Sequence, residues 1–253
     1  MTATENLPPH AIRRVRHETR RRRLEVAEAN LITPRMKRIV LSGDMDGFVS
    51  LGADDHIKLF FAAADGTAQM RDFTPRAYDV AAGTLTVDFA LHEAGPAAEW
   101  ATAAKVGDML DLGGPRGSAV VPHDFDWYWL VGDETALPAI GRFVEELPPG
   151  AKVTTAVAIA DAGERQSFAT KADWTALWAE RDAVGVDDAA ALLALLDARP
   201  FPAGDGYIFV AAESSVARAI RARLLERGHP RAQMKAAGYW TRGLADAHER
   251  IED

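Results

Sequence analysis

The hydrophobic pattern of this chain changes period once, near His123, and that change limits the folds open to it. Before it, apolar and polar residues alternate over short runs. In 84–91, Leu85, Val87, Phe89 and Leu91 interleave with Thr84, Thr86, Asp88 and Ala90, a period of two that turns one strand face into a core. Similar runs occupy 24–31, 36–41 and 57–62, with weaker ones near Met109 and Ser118, and no long helical period separates them. Six short strands predict a small antiparallel barrel, because closure removes the exposed edges of an open sheet. After Pro122 the runs at 127–131, 153–160 and 207–211 are almost continuously apolar and alternate with helical stretches, the pattern of parallel strands buried on both faces.

Helix signals punctuate this second half. Ser214 or Ser215 is placed to cap a helix with Val216, Ile220 and Leu224 on one face and Gly228 as its stop. A second helix follows Thr135 with Pro138 in its first turn, and 187–198 reads as a third. The expected organisation is a basic leader over 1–23, a barrel domain over 24–123 and an α/β domain over 124–253.

Composition narrows the chemistry. A chain of 253 residues without cysteine has no disulfides, thiolate nucleophiles or Cys-ligated metal clusters, so redox work would need a bound organic cofactor. The seven histidines show no ligand spacing such as HExxH, and no metal site is expected. Neither GxGxxG nor GxxxxGK is present. Residues 1–23 hold seven arginines against Glu5 and Glu18, a local charge of +5 that leaves −13 on the rest of a chain whose net charge is −8. The arginine run reads as a solvated lead into the first strand or as an arm for nucleic acid or an anionic membrane. The former is favoured, since no aromatic residue interleaves the arginines. Neither a nucleic-acid partner nor stable membrane association is expected. No apolar run approaches 18 residues and no signal pattern opens the chain, so a cytoplasmic location is expected.

Five short motifs carry candidate sites. Arg71-Asp72-Phe73-Thr74-Pro75-Arg76 puts two arginines around a ring and a hydroxyl, a set that suits a dinucleotide flavin or, equally, an exposed turn. His92 opens HEAGPAAEW, in which small residues at Gly95 and Ala97, beside Pro96, let backbone amides approach a pyrophosphate at a helix start; Trp100 follows. The turn GGPRGS offers Arg116 and places Ser118 where a phosphate could reach it. Gly132, Asp133 and Thr135 end the first parallel strand and Glu213 the third, where a nicotinamide could sit or where the side chains simply cap helices.

Taken in order, RDFTPR, HEAGPAAEWA, GGPRGS, GDETALPAI, AAESSVARAIR and GYWTRG resemble the siderophore-interacting protein family, FAD-containing ferric-siderophore reductases of the ferredoxin-reductase-like superfamily. The resemblance runs from about Arg14 to Ala247. It implies a Greek-key FAD-binding barrel followed by a nicotinamide-binding domain, and an oxidoreductase passing electrons from NADH or NADPH through FAD to Fe(III) held by a siderophore. It further implies a flavin site of Arg71, Phe73, Thr74, Asp88, His92, Gly95, Ala97, Trp100 and Ser118, with Thr135 nearby, and a nicotinamide side lined by Gly132, Asp133 and Glu213. No protein acid or base is required. The family has Tyr where this chain has Phe73, and Arg directly after GYW where this chain has Thr241 before Arg242. Lys58, Arg116 and Arg242 are the candidate cations for an anionic chelate. The same fold could also serve a general flavin reductase, a ferredoxin-dependent reductase or a carrier without turnover.

Overall fold

The computed structural model describes residues 8–62, 68–91, 95–185, 187–243 and 249–251. Its first half runs through β1 (Arg13–Arg16), β2 (Arg21–Thr33), β3 (Met36–Ser42), β4 (Ile57–Ala62), β5 (Ala68–Phe73), β6 (Ala77–Asp79), β7 (Thr84–Ala90), helix α1 (Pro96–Ala103), β8 (Met109–Gly113) and β9 (Gly117–Val120). Seven of these strands form one antiparallel sheet in the order β5-β4-β8-β2-β3-β7-β6, curled into a half-barrel. The alternation read from the sequence is what builds it: Leu85, Val87 and Phe89 of β7 join Ile39 and Leu41, Ile57 and Leu59, and Leu110 and Leu112 in one core.

Two details differ from expectation. The sheet has seven strands, not six, since β5 and the three-residue β6 lack an alternating apolar signature and pair through their backbones. The strand at Ser118 leaves this sheet altogether and pairs with β1, where Val15 stands opposite Ser118. Within the expected leader, therefore, Arg13–Arg16 form a strand and Arg21 opens β2 against β8.

The second half runs through β10 (Trp127–Gly132), α2 (Leu137–Glu146), β11 (Lys152–Ile159), β12 (Asp173–Glu180), α3 (Arg181–Val184), α4 (Asp188–Asp197), β13 (Gly206–Glu213), α5 (Ser214–Glu226), β14 (Met234–Trp240) and β15 (Glu249–Arg250). The sheet order is β12-β11-β10-β13-β14-β15, parallel except for the last pair. Every residue of β10 and β13 is buried, which is why those segments read as continuous apolar runs. Tyr128 and Leu130 share a core with Leu137, Ile140 and Phe143 of α2, while Trp127, Trp129 and Val131 meet Leu192 of α4 and Ile220 and Leu224 of α5. Helices thus cover both faces. The cap of α5 is Glu213, not Ser214 or Ser215, because its carboxylate accepts from the Ser215 and Val216 amides. Among the described residues no helix is long and apolar enough to cross a membrane.

The two halves are joined through α2. Arg142 is buried and donates from Nη1 to Ser50 Oγ (2.8 Å) and the Pro75 carbonyl (3.1 Å), and from Nη2 to the Ser50 carbonyl (3.3 Å). In the opposite direction Arg76 makes a bidentate pair with Glu145 of α2 at 2.7 Å on both arms. The close passage of α2 requires Gly141, where a Cβ would lie 2.7 Å from the Phe168 ring and 3.1 Å from Arg76. Around these polar links Met36, Ala53 and Val121 of the first half join the apolar core of α2. Replacing Arg142 with Ala would strand two buried carbonyls and a hydroxyl, so it should cost about 3 kcal/mol or more. Calorimetry should show a melting midpoint lowered by roughly 5–10 °C.

Candidate functional site

Strand β10 has β11 on one side and β13 on the other, and the chain leaves it toward β11 first and returns to β13 later. The strand order therefore reverses at β10, and a crevice opens beyond the carboxyl ends of β10 and β13. Gly132 ends β10 there. A Cβ at that position would stand 2.3 Å from the Ala211 carbonyl and 2.6 Å from the Ala136 Cβ, so only glycine lets the turn start so close to β13.

Asp133 organises this crevice from a position 1% exposed. Its Oδ1 accepts from the Thr135 amide (2.9 Å) and hydroxyl (2.5 Å), and its Oδ2 from the Glu213 amide (3.0 Å) and Trp240 Nε1 (2.9 Å). One carboxylate thereby fixes the ends of β10, β13 and β14 together. Burial works to raise the pKa of Glu213, but hydrogen bonds from the Ser215 hydroxyl and from the Arg242, Ser215 and Val216 amides outweigh it and hold the carboxyl below its ordinary value. Asp133 and Glu213 thus do cap helical turns, Thr135 donates to the first of these caps, and the capping brings all three to one crevice.

The barrel side meets this crevice where Tyr239 of β14 approaches Thr74. Burial pushes the Tyr239 pKa well up, the nearby charges of Asp54, Asp133 and Asp72 add to that, and the Thr74 side chain opposes them. Phe73 and Trp100 are brought together, for both rings contact Phe61 and Phe89, with Phe73 to Phe89 at 4.5 Å and Trp100 to Phe89 at 5.7 Å. Gly95 caps α1, with Pro96 and Ala97 in the first turn, where no side chain caps the helix. A Cβ on Gly95 would meet nothing within 4 Å. Space is open beside the uncapped first turn, and a helix start of this kind suits an anionic group. His92 lies outside the described residues.

Other candidates are placed differently. Ser118 is buried; its hydroxyl donates to Asp55 Oδ2 (2.5 Å) and accepts from the Leu51 amide (3.0 Å) and His17 Nε2 (2.7 Å), so it has no capacity left for a phosphate. Asp88 accepts both arms of Arg38 at 2.7 and 2.8 Å and lies 3.8 Å from Arg76 Nε, an internal ion network beneath the surface. Arg71 donates to the Met70 carbonyl and to Gln69. Lys58 is paired with Asp72 at 2.7 Å. Arg116 is exposed, and Arg242 is exposed with its amide on Glu213. Tyr239 and Trp240 were legible only as part of GYW, and Asp55 and Arg142 had no local signal.

An antiparallel half-barrel followed by a parallel sheet gives the chain a ferredoxin-reductase-like fold. Residues 125–243 match the siderophore-interacting protein family, and 25–70 and 62–119 match the siderophore-interacting FAD-binding domain. The chain belongs to the siderophore-interacting protein family. It is 33% identical to the NADPH-dependent ferric-chelate reductase of Escherichia coli (strain K12), over 93% of this chain and 98% of that protein. It is 29% identical to the ferric vibriobactin reductase ViuB of Vibrio cholerae, over 88% of this chain and 90% of that protein. Among solved structures it is similar to a siderophore utilization protein from T. fusca, with a TM-score of 0.86, 35% identity, and 93% and 98% of the two chains covered.

The lowered pKa of Glu213 has a pH consequence. Its folded state favours the carboxylate, so that stabilisation is complete above the ordinary value of 4.5 and is lost as pH falls through the folded value. Glu213→Gln should unfold at lower urea than wild type at about pH 7, and the gap should narrow at about pH 3.5. A gap independent of pH would show that the charge of Glu213 contributes nothing to α5.

Proposed function

We propose that this chain binds FAD between its two halves and uses NADH or NADPH to reduce siderophore-bound Fe(III) to Fe(II), in the cytoplasm. One observation carries the reading: Pro75 and Arg76, which close the Arg71-Asp72-Phe73-Thr74 motif, are held by Arg142 and Glu145 of α2, the helix that follows the Asp133 turn. A cofactor held by the barrel and a nucleotide held by the parallel sheet would therefore meet at one place. Residues 24–123 would form the flavin-binding domain and 124–253 the nicotinamide-binding domain.

The chain's own residues fit the flavin. The uncapped first turn of α1, with Gly95 open above it, would take the pyrophosphate, and Arg71 on β5 would add a cation. Phe73 keeps an aromatic face without the hydroxyl of a tyrosine, and Trp100 supports it through Phe61 and Phe89. Bound FAD would supply what no side chain here can, acceptance of a hydride from the nicotinamide and release of single electrons. Gly132, Asp133, Thr135 and Glu213 shape the nicotinamide side and hold it against the barrel. Iron reduced to Fe(II) binds anionic oxygen ligands less strongly, so release follows from the electron and needs no cleavage of the siderophore. The internal ion network around Asp88 and the saturated hydroxyl of Ser118 stand outside this set and position it.

The purified protein should be yellow with one FAD per chain. NADPH or NADH should bleach it anaerobically, and a ferric siderophore should restore the colour while a ferrous chelator traps Fe(II). Arg71→Ala should raise the FAD dissociation constant by about tenfold. A colourless protein, or a flavin bleached only by a reduced ferredoxin, would overturn the nicotinamide-dependent reading.

A further inference from the structure

The outer surface of the half-barrel pairs cations with carboxylates across its strands. In β4 the core takes Ile57, Leu59 and Phe61, so Lys58 and Phe60 face outward. Across the sheet Lys58 stands opposite Asp72 of β5 on one side and Gly113 of β8 on the other, and Phe60 stands opposite Asp111. Two cations flank this patch and each has a carboxylate. Lys58 Nζ donates to Asp72 Oδ2 at 2.7 Å, and Arg21, whose guanidinium lies 4.1 Å over the Phe60 ring, donates to Asp111 Oδ2 at 3.0 Å. Arg116, exposed in the turn after β8, forms no ion pair among the described residues.

Asp72 is more than a partner for Lys58. Its Oδ1 is buried and accepts no hydrogen bond, so half of the carboxylate has no donor beside it. It follows Arg71 and precedes Phe73 on β5, and its charge reaches Tyr239 in the crevice. The open side of Lys58 is a glycine, which adds no side chain to cover the pair.

We propose that Asp72 determines the charge class of the ferric chelate: by neutralising Lys58 it removes one of the three candidate cations, and so directs the reaction toward chelates of lower net charge. A trihydroxamate complex of Fe(III) is neutral, whereas a triscatecholate complex carries three negative charges and feels each local carboxylate threefold. The basic pocket that Lys58, Arg116 and Arg242 would make by composition alone thus loses one of its three charges to a residue inside the flavin motif itself. This assignment rests on the ferric-siderophore reading above.

Binding can be read apart from turnover with gallium(III) chelates, which match the charge and shape of the ferric ones but accept no electron from the flavin. The FAD-loaded protein should bind the neutral gallium trihydroxamate more tightly than the gallium triscatecholate, as followed by tryptophan quenching. Asp72→Asn should tighten the triscatecholate by about tenfold at low salt, with the gain shrinking as salt is added, and should move the trihydroxamate far less. Lys58→Gln should weaken the triscatecholate by a similar factor. The double variant, Lys58→Gln with Asp72→Asn, restores the neutral pair and should return the wild-type ratio of the two affinities. If Asp72→Asn shifts both chelates equally, or neither, Asp72 does not set selectivity. A wild-type protein that takes up FAD but binds neither chelate and reduces no ferric siderophore would sink the ferric-siderophore reading together with this one.

Discussion

The structure depends on a buried guanidinium. Arg142 projects from α2 of the parallel-sheet half into the barrel half and donates to Ser50 and to the carbonyl of Pro75, the residue after Thr74. A charge in that position is tolerable only if its donors are satisfied, and here Glu146 takes the Nε as well, at 2.7 Å. Because the partners are backbone and hydroxyl groups of fixed direction, the contact sets orientation as well as distance. Arg76 returns the link to Glu145 from the same motif, so the segment bearing Arg71, Phe73 and Thr74 is clamped at its end by α2.

That clamp continues inward. Ser50, held by Arg142, donates to Asp55 Oδ2, which also accepts from Ser118 and the Gly52 amide, and Ser118 accepts from His17 of the amino-terminal segment. A chain of polar groups thus runs from the parallel-sheet half through the barrel to the β1–β9 ribbon. Each member is buried or partly so, and each leaves a costly unpaired group if one is removed. The hairpin between β2 and β3 is fastened separately: Glu164 of the second half accepts from Thr33 Oγ1 at 2.6 Å and the Arg35 amide at 2.8 Å.

With the halves fixed, chemistry is a matter of which charges remain unpaired. Asp133 uses four donors to align three strand ends and has none to spare for catalysis, in keeping with a reaction that needs orientation and not proton transfer from the protein. On the barrel, Lys58 and Arg21 are paired and Arg116 is not. The net field over that surface therefore differs from the count of its cations.

Sequence alone determined the period change near His123, and with it an antiparallel sheet followed by a parallel one, because one-sided and two-sided burial leave different apolar patterns. It also marked the segments that punctuate the elements, since RDFTPR, GPAAEW, GDET and GYW all lie at strand ends or helix starts. It left out β1, β5, β6, β12, β14 and β15, which are held by pairing with neighbouring backbones. Only the tertiary structure decided what the polar side chains of those segments do. Ser118 and Asp88 are spent on internal partners, and Lys58 is neutralised by Asp72, because hydrogen bonds and ion pairs are set by residues distant in sequence that the fold brings within 3 Å. Arg142 shows the same limit: nothing local marks it, and its partner Ser50 lies 92 residues away.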